Sequence, residues 1–546
     1  MGLQLKVFVN SDSVNLVWQT SARINGCRGF AINRKLNGIQ DVLPTWVGFT
    51  NEKSDPGTTK PSTQWPVQKF MWNDFQVRPG DEVSYQVTSM IGNAGSLRGG
   101  EASDWTPLQK VQASGADGMY SYFNRGVLGC QWISRNVQGD ITKSIIQAIA
   151  TPGDKVRDFL SGQLRIQLLQ LLAEAKKAGG EVYAALFELN DPELLQALLN
   201  LSTSANVILA NGATKKEGED ENREAREKLN EGRVHVYDRM LTSSRLGHNK
   251  FMVLCDKGHQ PYAVWTGSTN WTETGLCTQA NNGIIIRDAG VGAVYKSQWD
   301  HIKQAGDGFP PALVNSNDSE NNVVTGQSKT VIWFTPTKGM VDLESASAYI
   351  NAAQRGILFL MFNPGPSNLS LLSDILQKKS KDPNIFLHGV INQDPSTTKN
   401  PVQLYHRGEK QTAGFDIILP AAINQGFAYW RKELLKLPTA HAIVHSKVIV
   451  LDPFSANPVV MTGSHNLGPK ASSSNDENLL IIENNPRLAG EYAVNIMSVY
   501  SHYRFAFYRS KKATVQNWNG LEDDDKWQDG YLKGEKLDEL NFWLGK

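Results

Sequence analysis

No stretch of this chain stays apolar for the roughly 18–20 residues that a membrane-spanning helix needs, so no transmembrane segment is expected. Cysteine is scarce as well. Its four residues (Cys27, Cys130, Cys255, Cys277) stand far apart and form no C-x-x-C pair. That excludes a disulfide scaffold and the usual spacing of a metal cluster, and implies reduced, buried thiols. Charge of one sign is also lacking: 55 Lys and Arg face 54 Asp and Glu, for a formal net charge of +1. Bulk charge therefore gives no support to a protein that tracks nucleic acid. The opening MGLQLKVFVNSDSVNLVWQ lacks the basic start, apolar segment and cleavage site of a secretory signal. Lys6 breaks the N-terminal acylation pattern. The cytoplasm is the expected location, and export by a dedicated secretion system would leave no trace. What remains is an ordinary globular composition, 40% hydrophobic and 20% charged, on a chain of 546 residues that calls for more than one core.

Two styles of sequence divide that length. Within residues 1–112, VNLVWQ (14–19), GFAINRKL (29–36), QKFMWNDF (68–75) and EVSYQVTSM (82–90) are short alternating or aromatic segments between turn residues. They predict an all-β sandwich. With Trp18 on an early strand and Tyr85 alternating with Val83 and Val87, it resembles a fibronectin type III domain. From 113 onward strands alternate with helices. RDFLSGQLRIQLLQLLAEAKKAGG (157–180) reads as a helix, EVYAALFEL as a buried strand, and DPELLQALL as a helix capped by Asp191. ANVILAN is the next strand. GILFLMF (356–362), NLSLLSDILQKK (368–379) and NIFLHGVI (384–391) repeat the order. The expected fold is α/β, with two βαβ halves over 113–325 and 326–510 and mostly parallel sheets. The charged insertion 213–233 predicts a solvated helix or loop, and 314–328 the connection between halves. The tail, 511–546, is expected to pack on the catalytic unit through Trp527 and Trp543.

Each half ends in nearly the same words. HNKFMVLCD (248–256) leads to TGSTNW (266–271), and HSKVIVLD (445–452) leads to TGSHNL (462–467). His248 precedes Asn270 by 22 residues, and His445 precedes Asn466 by 21. A lone His-x-Lys is ordinary surface sequence, but two copies, each with Gly-Ser-x-Asn at the same remove, are not. Imidazole, ammonium, hydroxyl and amide brought together twice suit an anionic phosphoryl group. Over about its last 400 residues the chain resembles the phospholipase D superfamily.

That resemblance implies two motifs meeting in one chain about a pseudo-two-fold axis, with no oligomer, metal or cofactor required. The matching positions are His248, Lys250, Ser268 and Asn270, and His445, Lys447, Ser464 and Asn466. One imidazole attacks phosphorus, the other protonates the leaving oxygen, and lysines and asparagines hold the charge. Eleven residues beyond Asn466 stands Glu477, and eleven beyond Asn270 stands Asn281. In the family, acidic residues just past these turns orient the imidazoles across the halves, which makes His248, paired with Glu477, the expected nucleophile and His445 the acid and base. Ser268, Ser464, Asn281 and His465 are expected to contact substrate. Asp256 and Asp452 are expected to anchor backbone, although the spacing from the lysine differs by one residue between them. His441, Arg245 and Arg407 are further candidates for the pocket.

The favoured substrate is a phospholipid headgroup ester at a membrane surface, for three reasons. A tandem single-chain form resembles the phospholipases, bulk charge is near zero, and Trp265, Trp271, Phe427, Tyr429 and Trp430 cluster near the motifs. The alternatives are a nuclease using the same two histidines and an inactive binding or scaffold protein.

Overall fold

The computed structural model describes residues 2–546 except 53–54, 56–57, 127, 129–140, 215–217, 243, 366, 394–415, 419–442 and 513–519. Arg407, Phe427, Tyr429, Trp430, His441 and Cys130 lie outside the described residues. The chain forms two compact units, one of residues 1–113 with 511–546 and one of residues 114–510.

The first unit holds two principal antiparallel sheets. One pairs Gln4–Val9, Val14–Gln19 and Met71–Asp74, and the other is built around Cys27–Leu36 and Glu82–Ile91. Alternation buries Trp18, Phe30 and Tyr85. Trp18 and Phe30 meet edge to face with ring centroids 5.5 Å apart. The Tyr85 hydroxyl donates to Asp74 Oδ2 at 2.9 Å, and Arg34 pairs with the same carboxylate. The described part of the tail belongs to this unit, which corrects the expectation that it packs on the catalytic one. Trp527 lies 5.8 Å from Phe30 and 5.6 Å from Phe70, and Trp543 lies 5.2 Å from Phe8. Phe8 and Phe70 offer apolar rings to the two tryptophans, and burying an aromatic ring is worth about 1.5–3 kcal/mol.

The second unit contains a seven-stranded and an eight-stranded sheet. In order across the first lie Met119–Phe123, Asn282–Ile286, Pro261–Gly267, Lys250–Cys255, Glu181–Leu186, Ala205–Ala210 and His235–Arg239. The second repeats this as Ser328–Thr335, Glu477–Glu483, Val459–Gly463, Val448–Leu451, Gly356–Met361, Phe386–Ile391 and Asp416–Ile418, with Asn321–Thr325 added at one edge. The sheets are mixed rather than mostly parallel. Helical crossovers make Glu181–Leu186, Ala205–Ala210 and His235–Arg239 parallel, but Lys250–Cys255 and Pro261–Gly267 form a tight hairpin, which only antiparallel strands allow.

Local chemistry sets the helix ends. Asp154 and Asp191 accept backbone N–H groups at the starts of Lys155–Ala178 and Pro192–Leu201. Gly162, at φ 53°, breaks the first of these. Arg157 joins the two helices through a buried ion pair to Asp191 and a partly buried one to Glu193. The stretch 314–328 is not a bare linker: it holds the end of a helix (Pro311–Asn317), the strand Asn321–Thr325 and a turn at Gly326. Within the insertion, Arg223–Glu231 is helical. No described helix is long and apolar enough to cross a membrane.

Candidate active site

Both His-x-Lys pairs lie at the point where a loop enters a central strand. Lys250 opens the strand Lys250–Cys255, and Lys447 immediately precedes Val448–Leu451. Alternation aims each His and its Lys to one side of the strand. Each lysine Nζ donates to the carbonyl of its own histidine at 2.6 Å, an arrangement repeated in both halves. A phenylalanine closes each copy. Phe187 stacks edge to face on His248 at 4.7 Å and lies 4.8 Å under Lys250. Phe362 stands 4.8 Å from His445 and 4.9 Å from Lys447.

The halves interlock where the motifs meet. Leu246 bridges to Asn475, and Ala280 bridges to Val444. His445 and Ser446 both donate their backbone N–H to Ala280 O at 2.9 Å, and Asp476 donates its own to Leu246 O at 2.8 Å. Asn282 donates to Thr462 Oγ1, and Thr266 donates to Asn478 Oδ1, both at 2.8 Å. Asn478 also donates to Asn249. Arg239 grips Asp476 through two buried hydrogen bonds of 2.7 and 3.0 Å. The pseudo-two-fold relation is thus carried by matched polar contacts.

Each histidine takes its partner from the other half. His248 Nδ1 lies 2.7 Å from Glu477 Oε2, and His445 Nδ1 lies 2.9 Å from Asn281 Oδ1. An oxygen acceptor in both places puts the proton on Nδ1 and leaves Nε2 bare. Burial drives His248 down to about 4, with Lys250 adding to the effect and Glu477 resisting it. Burial lowers His445 well below the ordinary range, and Lys447 and Lys250 push the same way. Burial works to raise Glu477, yet His248 and Lys250 hold it below the usual carboxylate range. The resting pair is therefore a neutral imidazole donating to an ionised carboxylate. Burial brings Lys250 down to about 7 against the pull of Glu477 and Glu188; burial, and then Lys250, also lower Lys447 well below the ordinary lysine range. Their positive charge is costly until an anion arrives.

Several predicted contacts take other forms. Ser268 Oγ donates to Asn281 Oδ1 at 2.7 Å and accepts the Asn282 N–H, while Ser464 Oγ accepts the Asn478 N–H. Both serines are fully buried braces between turn and strand. Asn281 spends its Oδ1 on His445 and Ser268, and its Nδ2 on Gly275 O. It positions an imidazole instead of touching substrate. His465 is fully buried, accepts the Leu467 N–H through Nδ1, and sets Nε2 3.0 Å from Asp342, which makes it structural. Asn270 donates to Glu188 at 2.7 Å. The Oδ1 atoms of Asn270 and Asn466 are buried without a hydrogen-bond partner among the described residues.

Asp256 holds its own hairpin by accepting the N–H of Gly258 and Gln260. Asp452 instead clamps Gln354, Arg355 and Gly356. A bulge between Leu254 and Cys255 takes up the extra residue in the first motif. Exposed Arg245 lies over Phe309 at 5.2 Å. Trp265 and Trp271 are fully buried core residues, so neither ring is free to meet a membrane. Cys255 and Cys277 are buried, and burial pushes both thiols up to about 12. Among the described residues no cluster of His, Cys, Asp or Glu is arranged to hold a metal.

The sequence reading missed Phe187, Phe362 and Glu188. A signal for the first two was present, because LFE and MFN close corresponding strands in the two halves.

Residues 168–303 and 347–499, more than half of the chain, match the family described as cardiolipin synthase, PLD-like domain. Among curated proteins none matches. Similar solved structures include the phosphatidylserine synthase of Haemophilus influenzae, 12% identical with a TM-score of 0.43, covering 73% of this chain and 98% of that one. Polyphosphate kinase from Porphyromonas gingivalis is 11% identical with a TM-score of 0.37, over 57% of this chain. This chain covers 45% of that kinase, less than half its length. Nuc from Salmonella typhimurium, a phospholipase D family member, is 20% identical with a TM-score of 0.21, over 32% of this chain and 95% of that one. Through that family match, together with its paired motifs, the chain belongs to the cardiolipin synthase-like family of phospholipase D-like domains.

Proposed function

We propose that this chain is a phosphodiesterase of the phospholipase D type that hydrolyses a phospholipid headgroup ester through a phosphohistidine. One observation carries the reading: two neutral, buried imidazoles, each held through Nδ1 by the opposite half. In the proposed first step His248 Nε2 attacks phosphorus, forming a P–N bond as the P–O bond to the leaving alcohol breaks. His445, protonated once the phosphoryl anion has raised its proton affinity, gives that proton to the departing oxygen. Water then attacks phosphorus, giving its proton back to His445, and the P–N bond breaks. Glu477 stabilises the imidazolium character that develops on His248. Lys250 and Lys447 hold the phosphoryl oxygens, where a low dielectric makes their charge count for more than in water. The near-zero net charge and the single-chain site support a lipid ester.

The test is a panel of purified full-length protein against phospholipid vesicles, single-stranded DNA and RNA. The expected result is hydrolysis of the lipid and an acid-labile, alkali-stable phosphoryl adduct at His248. His248→Ala should remove both adduct and turnover. Hydrolysis without any adduct would overturn the covalent route, and DNA or RNA as the preferred substrate would overturn the lipid.

A further inference from the structure

The two ends of the site differ in charge as well as in hydrogen bonding. The residue after Phe187 is Glu188, whereas the residue after Phe362 is the exposed Asn363. Glu188 Oε2 accepts from Asn270 Nδ2 at 2.7 Å. Among the described residues no hydrogen bond engages Oε1. Burial raises this carboxyl to about 6; Lys250 opposes that shift and Glu221 reinforces it, so the group is ionised at neutral pH.

Glu188 does not stand alone. Asn222 accepts the Leu189 N–H at 2.9 Å and donates to Phe187 O and Ala210 O, both at 2.8 Å. These bonds fasten the acidic segment GEDEN (218–222) to the backbone on both sides of Glu188. Asn270 is 4% exposed, and its Oδ1 has no donor among the described residues. Asn466 Oδ1 is equally unpaired, but among the described residues no carboxylate is hydrogen-bonded to its amide. A carboxylate and an orphan acceptor thus share one end of the site.

Charge balance says what they await. Ionised Glu188 and Glu477 pull Lys250 and Lys447 toward their charged forms, against burial. A bound phosphodiester adds one negative charge and draws the lysines to itself. Glu188 is then left partly buried without compensation, a costly state. A substrate that brings its own cation to that end restores the balance. One that brings further phosphates worsens it.

Resting on the phosphodiesterase reading above, we propose that Glu188, backed by Glu221, is a specificity-determining residue that receives an N–H-bearing ammonium group on the substrate's alcohol. The ammonium pairs with Glu188 Oε1 and supplies a donor to Asn270 Oδ1. The substrate class is therefore an amino-alcohol ester such as an ethanolamine phosphodiester, and polyphosphate strands are disfavoured.

The experiment uses the full chain, wild type and Glu188→Gln. Two readouts are taken: kcat/KM on phosphatidylethanolamine against phosphatidylglycerol in the same micelles, and calorimetric affinity for glycerophosphoethanolamine against glycerophosphoglycerol. The wild type should prefer the ethanolamine form by about 10-fold or more in both, and Glu188→Gln should erase most of that ratio. A wild type without the preference, or a variant that weakens both forms in proportion, overturns the proposal; the latter would mark Glu188 as a residue that merely positions Asn270. If no phosphodiester is hydrolysed, the phosphodiesterase reading fails while the affinity ratio still decides the role of Glu188. If both esters are cleaved equally well, the reading stands and the proposal falls.

Discussion

The two halves of the second unit share strand order, motif and even ring spacing, yet differ in the chemical group beside each histidine. His248 meets a carboxylate, and His445 meets an amide. An amide oxygen fixes a tautomer as well as a carboxylate does, but it carries no charge to stabilise an imidazolium. The fold has thus kept the geometry of a symmetric site while giving up its electrostatic symmetry. On the proposed mechanism the half that keeps a charged partner holds the covalent phosphoryl group. On that mechanism the other lends and recovers a proton, since burial and the nearby lysines favour its neutral form.

The sharpest break of this comparison is to make the halves alike. Glu477→Gln should cut the rate of phosphohistidine formation by about 10²–10⁴-fold, the scale on which positioned acid–base groups act. The exchange Glu477→Gln with Asn281→Asp should move whatever adduct forms toward His445, as peptide mapping of the labelled protein would read. Labelling that stays on His248 would mean that the carboxylate does not choose the nucleophile.

His445→Ala probes the other side. Formation of the adduct from a poor leaving group should slow by about 10²–10⁴-fold, and much of that loss should return with a p-nitrophenyl leaving group that needs no proton. A loss equal for both leaving groups would assign His445 some other task.

A smaller effect concerns pH. A carboxyl raised to about 6 is charged above that pH and neutral below it, so any dependence on Glu188 must be present above about 6 and fade as pH falls through it. The ethanolamine-to-glycerol ratio should therefore fall toward one between pH 7 and pH 5, and stay flat in Glu188→Gln. The smallest expected effect is none. Since the buried lysines supply the positive charge, chelator-treated protein should keep its rate on a water-soluble diester, and restoration by one specific divalent ion would contradict this.

Much of this is legible in the sequence. Helix caps such as Asp191 and the duplicated motifs rest on local chemistry, and local chemistry is written consecutively. The mixed sheet direction was not legible, because whether Asp256–Gln260 closes a hairpin or launches a crossover depends on where the chain returns. The tail was misplaced because Trp527 and Trp543 announce burial without naming the surface that buries them. Ser268, Ser464 and His465 looked like ligands through their place in the motif. Only the partners Asn282, Asn478 and Asp342, more than ten residues away in sequence, reveal them as braces. Glu188 was invisible for a similar reason, since a glutamate after a strand is unremarkable until Asn270 is seen against it.

The reciprocal bridges, Leu246 to Asn475 and Ala280 to Val444, carry a consequence for the life of the chain. Each histidine depends on the opposite half for the atom that fixes its proton, so the two halves must fold together before the site is complete. On the proposed mechanism the first half alone, with His248, Lys250 and Asn270, lacks the carboxylate that holds its imidazole. A chain that stopped after the first half would have neither Glu477 nor the second imidazole, so on that mechanism the site is finished only when both halves are.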